Sequence, residues 1–179
     1  MKTLALDPST TSTGYAVRDG LGLTTGVISR EPKEPVEVRL YRTLQAIEEL
    51  IMRVGAERLA WEIPVRGHPI RTLDTALRGL CKRFRLPYSR YYPSEIKKLV
   101  TGHGDADKDA VARAVCLVCP QLGGSLSEHE YDAVAILLID EGNMALAACI
   151  PDRRQRREFM DQLMRKRRGI PRGQAALRA

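Results

Sequence analysis

Residues 4–17 read LALDPSTTSTGYAV, an apolar run that ends on Asp7 and is followed by five hydroxyl-bearing residues in the next six positions. Short apolar runs closed by turn-forming residues read as buried strands, so TLALD at 3–7 is assigned as the first strand. GYAVRDG at 14–20 and LTTGVIS at 23–29 then read as a hairpin whose turn includes Asp19 and Gly20. The first three strands are therefore expected to be antiparallel neighbours.

Outward from that hairpin, EPKEP at 31–35 is a loop, and Val36, Leu40, Leu44, Ile47, Ile51 and Val54 recur at helical spacing until Gly55. RLAWEI at 58–63 is another apolar strand and carries a second acid, Glu62. A polar loop, PVRGHP, leads to a helix predicted from about Arg71 to Arg85, and a strand follows near PYSRYY at 87–92. Helices are predicted from Pro93, from about Asp107, and from about Glu130 to Ala147. Three strands followed by helices alternating with two more strands predict an α/β fold, one mixed five-stranded sheet flanked by helices.

The chain has 179 residues, 44% of them hydrophobic, which is enough for one well-packed domain and short for two. No apolar run reaches the roughly 18 residues of a membrane span, and the N-terminus lacks the pattern of a signal peptide. These readings predict a cytoplasmic protein with no membrane partner. Cys81, Cys116, Cys119 and Cys149 are too few and too scattered for a disulfide framework. Cys116 and Cys119 do form a C-x-x-C, but VARAVCLVCP reads as the apolar end of a helix and no second pair partners it, so core thiols are expected.

The formal net charge is +7, and all of it falls in residues 151–179, which hold ten basic and three acidic residues. The chain therefore divides into a neutral domain over 1–150 and a basic C-terminal tail over 151–179. Within the tail, Phe159, Met160, Leu163 and Met164 would give a basic helix a narrow apolar stripe. Such a segment is either a solvated extension or an element that docks on phosphate or on a partner.

Asp7 and Glu62 each close a predicted strand, where an isolated buried carboxylate would be very costly. A third acid, Asp132, stands at the start of the last helix in SEHEYDAVAILL, with His129 three residues earlier on the same helical face. Each has a plainer reading alone: Asp7 as a turn cap, Glu62 paired with Arg66, His129 as a residue of a helix start. Together they could converge on one rim of the sheet, where their mutual repulsion calls for cations. Two Mg²⁺ held roughly 4 Å apart by carboxylates provide them and clamp the attacking and leaving oxygens of a phosphodiester.

LALDPSTTSTGYAV, the Glu62 after LAW, RTLDTALRGL, YYPSEIKKLVTGHGDADKDAV and HEYDAVAILL, in that order and spacing, resemble the RuvC-type Holliday junction resolvases of the ribonuclease H-like superfamily. The resemblance covers roughly residues 3–142. It implies a homodimeric, metal-dependent endonuclease that resolves four-way DNA junctions by paired nicks and leaves 5′-phosphates. It also implies that Asp7 bridges two Mg²⁺, that Glu62 holds one, and that Asp132 with His129 holds the other; Mn²⁺ should substitute, since an imidazole suits the softer ion. Family members carry either a carboxylate or a histidine at the place of His129.

For DNA, the resemblance assigns Lys108, in GHGDADK, to the phosphate backbone, with Lys97 and Lys98 of PSEIKK nearby. The family's aromatic wedge after the glutamate has no counterpart in IPVRGHPIR, which leaves Arg66, His68 and Arg71 as substitutes. RTLDTALRGLCKRF at 71–84 is the expected dimer-interface helix. Other readings are a broader branched-DNA debranching nuclease, a non-catalytic junction-binding protein, and an actin-like ATPase. The last shares the D-x-S-T-T loop but needs two such domains.

Overall fold

TLALD forms β1 (Thr3–Asp7), a strand buried at every position. It lies in the middle of the sheet because it pairs antiparallel with β2 (Ser12–Asp19) and parallel with β4 (Arg58–Glu62). Burial on both faces explains why its sequence is continuously apolar and does not alternate. β3 (Gly22–Ser29) pairs with β2 along its full length, from Ser12 opposite Ser29 to Asp19 opposite Gly22. β5 (Tyr88–Tyr91) runs parallel to β4, which gives a mixed five-stranded sheet in the order β3-β2-β1-β4-β5. The structure is a computed structural model, and it describes the chain except residues 21, 65–67, 123–125, 144–145, 147–149, 151–153, 155 and 162–179.

Helices cover both faces of the sheet. On one side α1 (Val36–Val54) and α2 (His68–Phe84) pack against Leu4, Leu6, Val17, Leu59 and Trp61. Leu40, Ile47, Leu50 and Ile51 supply the buried face of α1, as their spacing predicts. Each such side chain contributes roughly 1.5–3 kcal/mol on full burial. On the other side α5 (Glu128–Asp140) lies over Ala5, Ala16 and Ala60, whose small side chains let it approach closely. α3 (Pro93–Thr101) and α4 (Lys108–Val118) cover α5 in turn. With neighbours all round, α5 is apolar all round, and Ala133 through Ile139 are all buried.

Two helix boundaries differ from expectation. α5 ends at Asp140, seven residues before Ala147, because Gly142 adopts a left-handed φ of 67° and the Asn143 amide bonds back to the Leu138 carbonyl at 2.9 Å. At its other end, α5 begins at Glu128 behind a Ser127–Glu130 capping box. α2 begins at His68, with Pro69 in its first turn, rather than at about Arg71. Beyond α5, Leu146, Ile150 and Phe159 join the core on the α5 side, with Phe159 only 3% exposed. Residues 156–161 are helical, and the Arg156 guanidinium donates to the Ile150 carbonyl at 2.8 and 3.0 Å. Cys81 and Cys119 are buried, Cys116 packs against the core, and all three are free thiols; Cys149 lies outside the described residues.

At the C-terminal end of α5, Asp140 is almost fully buried and fully engaged. It accepts from Arg58 Nε at 2.8 Å, from the Tyr91 hydroxyl at 2.8 Å and from Thr3 Oγ1 at 3.3 Å. Those contacts tie the helix to β1, β4 and β5. Among the described residues, no helix is long and apolar enough to cross a membrane.

Candidate active site

The parallel pairing of β1 and β4 brings Asp7 and Glu62, the last residues of the two strands, to the same edge of the sheet. α5 runs across that edge with its first turn over β2, which delivers His129 and Asp132 from above. Asp7, Glu62, His129 and Asp132 all line one cavity of about 290 Å³. Its other walls include Ser9, Lys97, Lys108 and Glu128, with Pro93, Ile96 and Val111 supplying apolar surface. The four residues singled out from the sequence are therefore brought together.

A close backbone approach sets the helix there. Gly14 is the strand partner of Asp7, and a Cβ built on it would lie 2.0 Å from the His129 carbonyl oxygen and 2.4 Å from its carbon. Only a residue without a side chain fits under that first turn. His129 Nδ1 consequently sits 2.6 Å from Asp7 Oδ2 and donates to it. The hydroxyls after Asp7 brace the turn leading into β2. Ser9 and Thr13 bond each other, with the Ser9 amide donating to Thr13 Oγ1 and the Thr13 hydroxyl donating to the Ser9 carbonyl, both at 3.3 Å.

Burial, reinforced by neighbouring carboxylates, dominates the electrostatics. Burial, followed by the charges of Asp7 and Asp132, pushes the Glu62 carboxyl up to about 8. Asp132 rises to about 6, first through burial and then through Asp7. His129 is raised above its ordinary value, chiefly by its hydrogen bond to Asp7. Lys97 and Lys108 oppose these shifts in Glu62 and Asp132 without cancelling them. Among the described residues no three His, Cys, Asp or Glu side chains stand ready-made around a single point. The donor set is nevertheless of the right kind for a hard divalent cation: carboxylate oxygens in excess of local positive charge, with one imidazole.

The basic residues are placed unevenly. Lys97 and Lys108 line the cavity, and the Lys108 ammonium pairs with Glu128. Lys98 is exposed and is not among the cavity's lining residues. Arg71 lines a neighbouring cavity with Ile63 and Pro64. Arg66 and the side chain of His68 lie outside the described residues. Sequence reasoning overlooked Glu128, although its place beside His129 in SEHEYD was a signal.

The family model for the crossover junction endodeoxyribonuclease RuvC matches residues 3–139. The chain belongs to the RuvC family. The crossover junction endodeoxyribonuclease RuvC of Anaeromyxobacter sp. (strain Fw109-5) is 32% identical over 148 residues, which cover 76% of this chain and 71% of that protein. The RuvC of Rickettsia akari (strain Hartford) is 29% identical over 147 residues, covering 76% of this chain and 94% of its own. Among solved structures, Thermus thermophilus RuvC superposes with a TM-score of 0.63 at 25% identity, over 83% of this chain and 95% of that one. The same protein in complex with a Holliday junction substrate gives 0.65 over the same shares. RuvC membership agrees with the five ordered motifs and with the mixed sheet expected from the order of strands and helices.

Proposed function

We propose that the chain resolves four-way DNA junctions by paired hydrolytic nicks, working as a homodimer. The observation that carries this reading is the convergence of Asp7, Glu62, Asp132 and His129 from three separate elements on one cavity of a RuvC-family fold. Asp7, Glu62, Asp132 and His129 are the residues that would hold two Mg²⁺, which when bound supply positive charge to the phosphoryl oxygens and acidify the attacking water. Mn²⁺ would serve as well, given the imidazole.

The chain's own groups do the rest. Glu62, with its carboxyl near 8, and Asp132, near 6, surrender protons as the site is loaded, so loading is favoured by rising pH. Lys108 exchanges Glu128 for a substrate phosphate, and Lys97 adds a second positive charge at the same wall. Pro93, Ile96 and Val111 limit water around the reacting group and strengthen these interactions. Attack on phosphorus with departure of the 3′ oxygen leaves a 5′-phosphate and a 3′-hydroxyl.

Dimerisation follows from symmetry, because a junction presents two equivalent strands to a two-fold enzyme. The division into a nuclease domain over 1–150 and a basic tail over 151–179 belongs to the same reading: Phe159 anchors the start of the tail, and its arginines add phosphate contacts. Free thiols at Cys81, Cys116 and Cys119 suit a reducing, cytoplasmic setting.

A second reading, a nuclease for branched DNA in general, is favoured by the absence of an aromatic residue from IPVRGHPIR. Incubating the protein with labelled four-way, forked and linear DNA, with and without Mg²⁺, decides between them. Symmetric Mg²⁺-dependent cuts in the four-way substrate alone support resolution. Equal cutting of forks supports the broader nuclease, and no cutting of any substrate overturns both.

A further inference from the structure

Two cavities meet at the end of β4, and neighbouring residues divide them. Glu62 and Pro93 line the carboxylate cavity, while their chain neighbours Ile63 and Tyr92 line a second one of about 390 Å³. This second cavity is also walled by Pro64, Arg71, Asp74 and Arg78. It is built on charge of the opposite sign. Asp74 is buried and accepts from Trp61 Nε1 at 2.9 Å, which fixes its carboxylate. That single carboxylate pairs with Arg90 at 3.1 Å and Arg78 at 3.4 Å, and Arg71 adds a further guanidinium, so positive charge is in excess.

Tyr92 is 54% exposed, yet its backbone is held. It is the N-cap of α3, its carbonyl accepts from the Glu95 and Ile96 amides at 2.9 Å, and Pro93 follows at the first helical position. An exposed aromatic on a fixed backbone, lining one cavity with Arg71 and Arg78, offers a base a stacking surface and the flanking phosphates their counter-charges.

We propose that this cavity is the subsite for the nucleotide next to the scissile phosphate, with Tyr92 stacking on its base and Arg71 and Arg78 holding its phosphates. The subsite rests on the phosphodiester-cleaving reading and adds to it a source of selectivity. A base must leave its own stack to reach Tyr92, which costs less at a branch point than within a duplex. Selection for branched DNA thereby arises from a residue of the α3 cap.

The test uses four-way junctions carrying 2-aminopurine singly at each position flanking the cut, bound in metal-free buffer so that the strand stays intact. The parent chain should quench the emission at one position. Tyr92→Ala should abolish the quench and weaken junction binding about tenfold while duplex binding changes less than twofold. Tyr92→Phe should restore both, and Arg78→Gln should flatten the log–log salt dependence of binding by about 0.7–0.9. Thermal melts establish that each variant is folded. Equal quenching in Tyr92→Ala and parent, or no quench at any position from a parent that still cuts junctions, would overturn the subsite alone. A parent that neither binds nor cuts branched DNA would overturn the functional reading along with it.

Discussion

α5 carries an aspartate at each end of its span over the sheet, and the two live in opposite electrostatic circumstances. Asp140 is buried but has Arg58, Tyr91 and Thr3 around it, so its charge is matched within the fold. In Asp132 and Glu62, burial first and the charge of Asp7 second push the carboxyls toward their protonated forms. A fold that matches one buried carboxylate so completely has no general difficulty in doing so. We propose that the cluster, which His129, Lys97 and Lys108 compensate only in part, is a place where stability has been traded for affinity toward a cation used in catalysis.

Breaking the carboxylate cluster and breaking the Asp140 pair should give opposite results. Asp7→Asn should reduce junction cleavage by at least about a thousandfold. Junction affinity should be kept or improved, because a repulsive charge near phosphate is removed while the basic contacts remain. Gel-shift and single-turnover cleavage assays check this together. At the other end, Arg58→Met leaves Asp140 without its guanidinium and should destabilise the fold by about 3–5 kcal/mol, read by denaturant unfolding. The fraction that stays folded should still cut.

Gly14 and Gly26 separate the geometry of the cluster from ordinary packing. A methyl at Gly14 meets His129 backbone, whereas at Gly26 it meets the Tyr15 side chain, its hydroxyl at 2.5 Å. Gly14→Ala should therefore lower kcat about ten- to a hundredfold with KM little changed, since a displacement of about 1 Å at a reacting group is felt on that scale. Gly26→Ala should lower the melting temperature without a comparable loss of turnover. The smallest effect is expected at His129. His129→Asp should shift the preference from Mn²⁺ toward Mg²⁺ by severalfold in initial rate, and an unchanged preference would remove the imidazole from the ligand set.

Much of this was legible in the residues, for physical reasons. Short apolar runs that end in Asp7 and Glu62 mark the strands and place both acids on one candidate cavity, because a strand buried on both faces must be apolar until it reaches its end. The spacing of His129 and Asp132 is a local helical property and does not depend on tertiary structure. The end of α5 was less legible. Its apolar pattern continues past Gly142 to Leu146 and Ile150, which are buried as well, so periodicity could not show that a left-handed residue stops the helix between them. The Arg58–Asp140 pair spans 82 residues, and nothing local announces it. The division of Glu62 from Ile63 and of Pro93 from Tyr92 between two cavities depends on where β4 and β5 end side by side, which is a property of the assembled sheet.

If the partly compensated Asp7–Glu62–Asp132 cluster takes up a divalent cation, thermal melting of the parent chain and of Glu62→Gln between pH 5 and 8, with and without millimolar Mg²⁺, will show it. A carboxyl whose folded value of about 8 lies above its ordinary 4.5 favours folding most below 4.5, and that contribution is lost as pH rises through 8. The metal-free parent should therefore lose stability across this range, on the order of 2 kcal/mol from Glu62 once solvent screening is allowed for, and Mg²⁺ should restore it most at pH 8. Glu62→Gln should be more stable than the parent at pH 8 without Mg²⁺ and should respond weakly to it. A parent whose melting temperature ignores Mg²⁺ at pH 8, together with a Glu62→Gln variant that is less stable there, would mean that the cluster is no cation site.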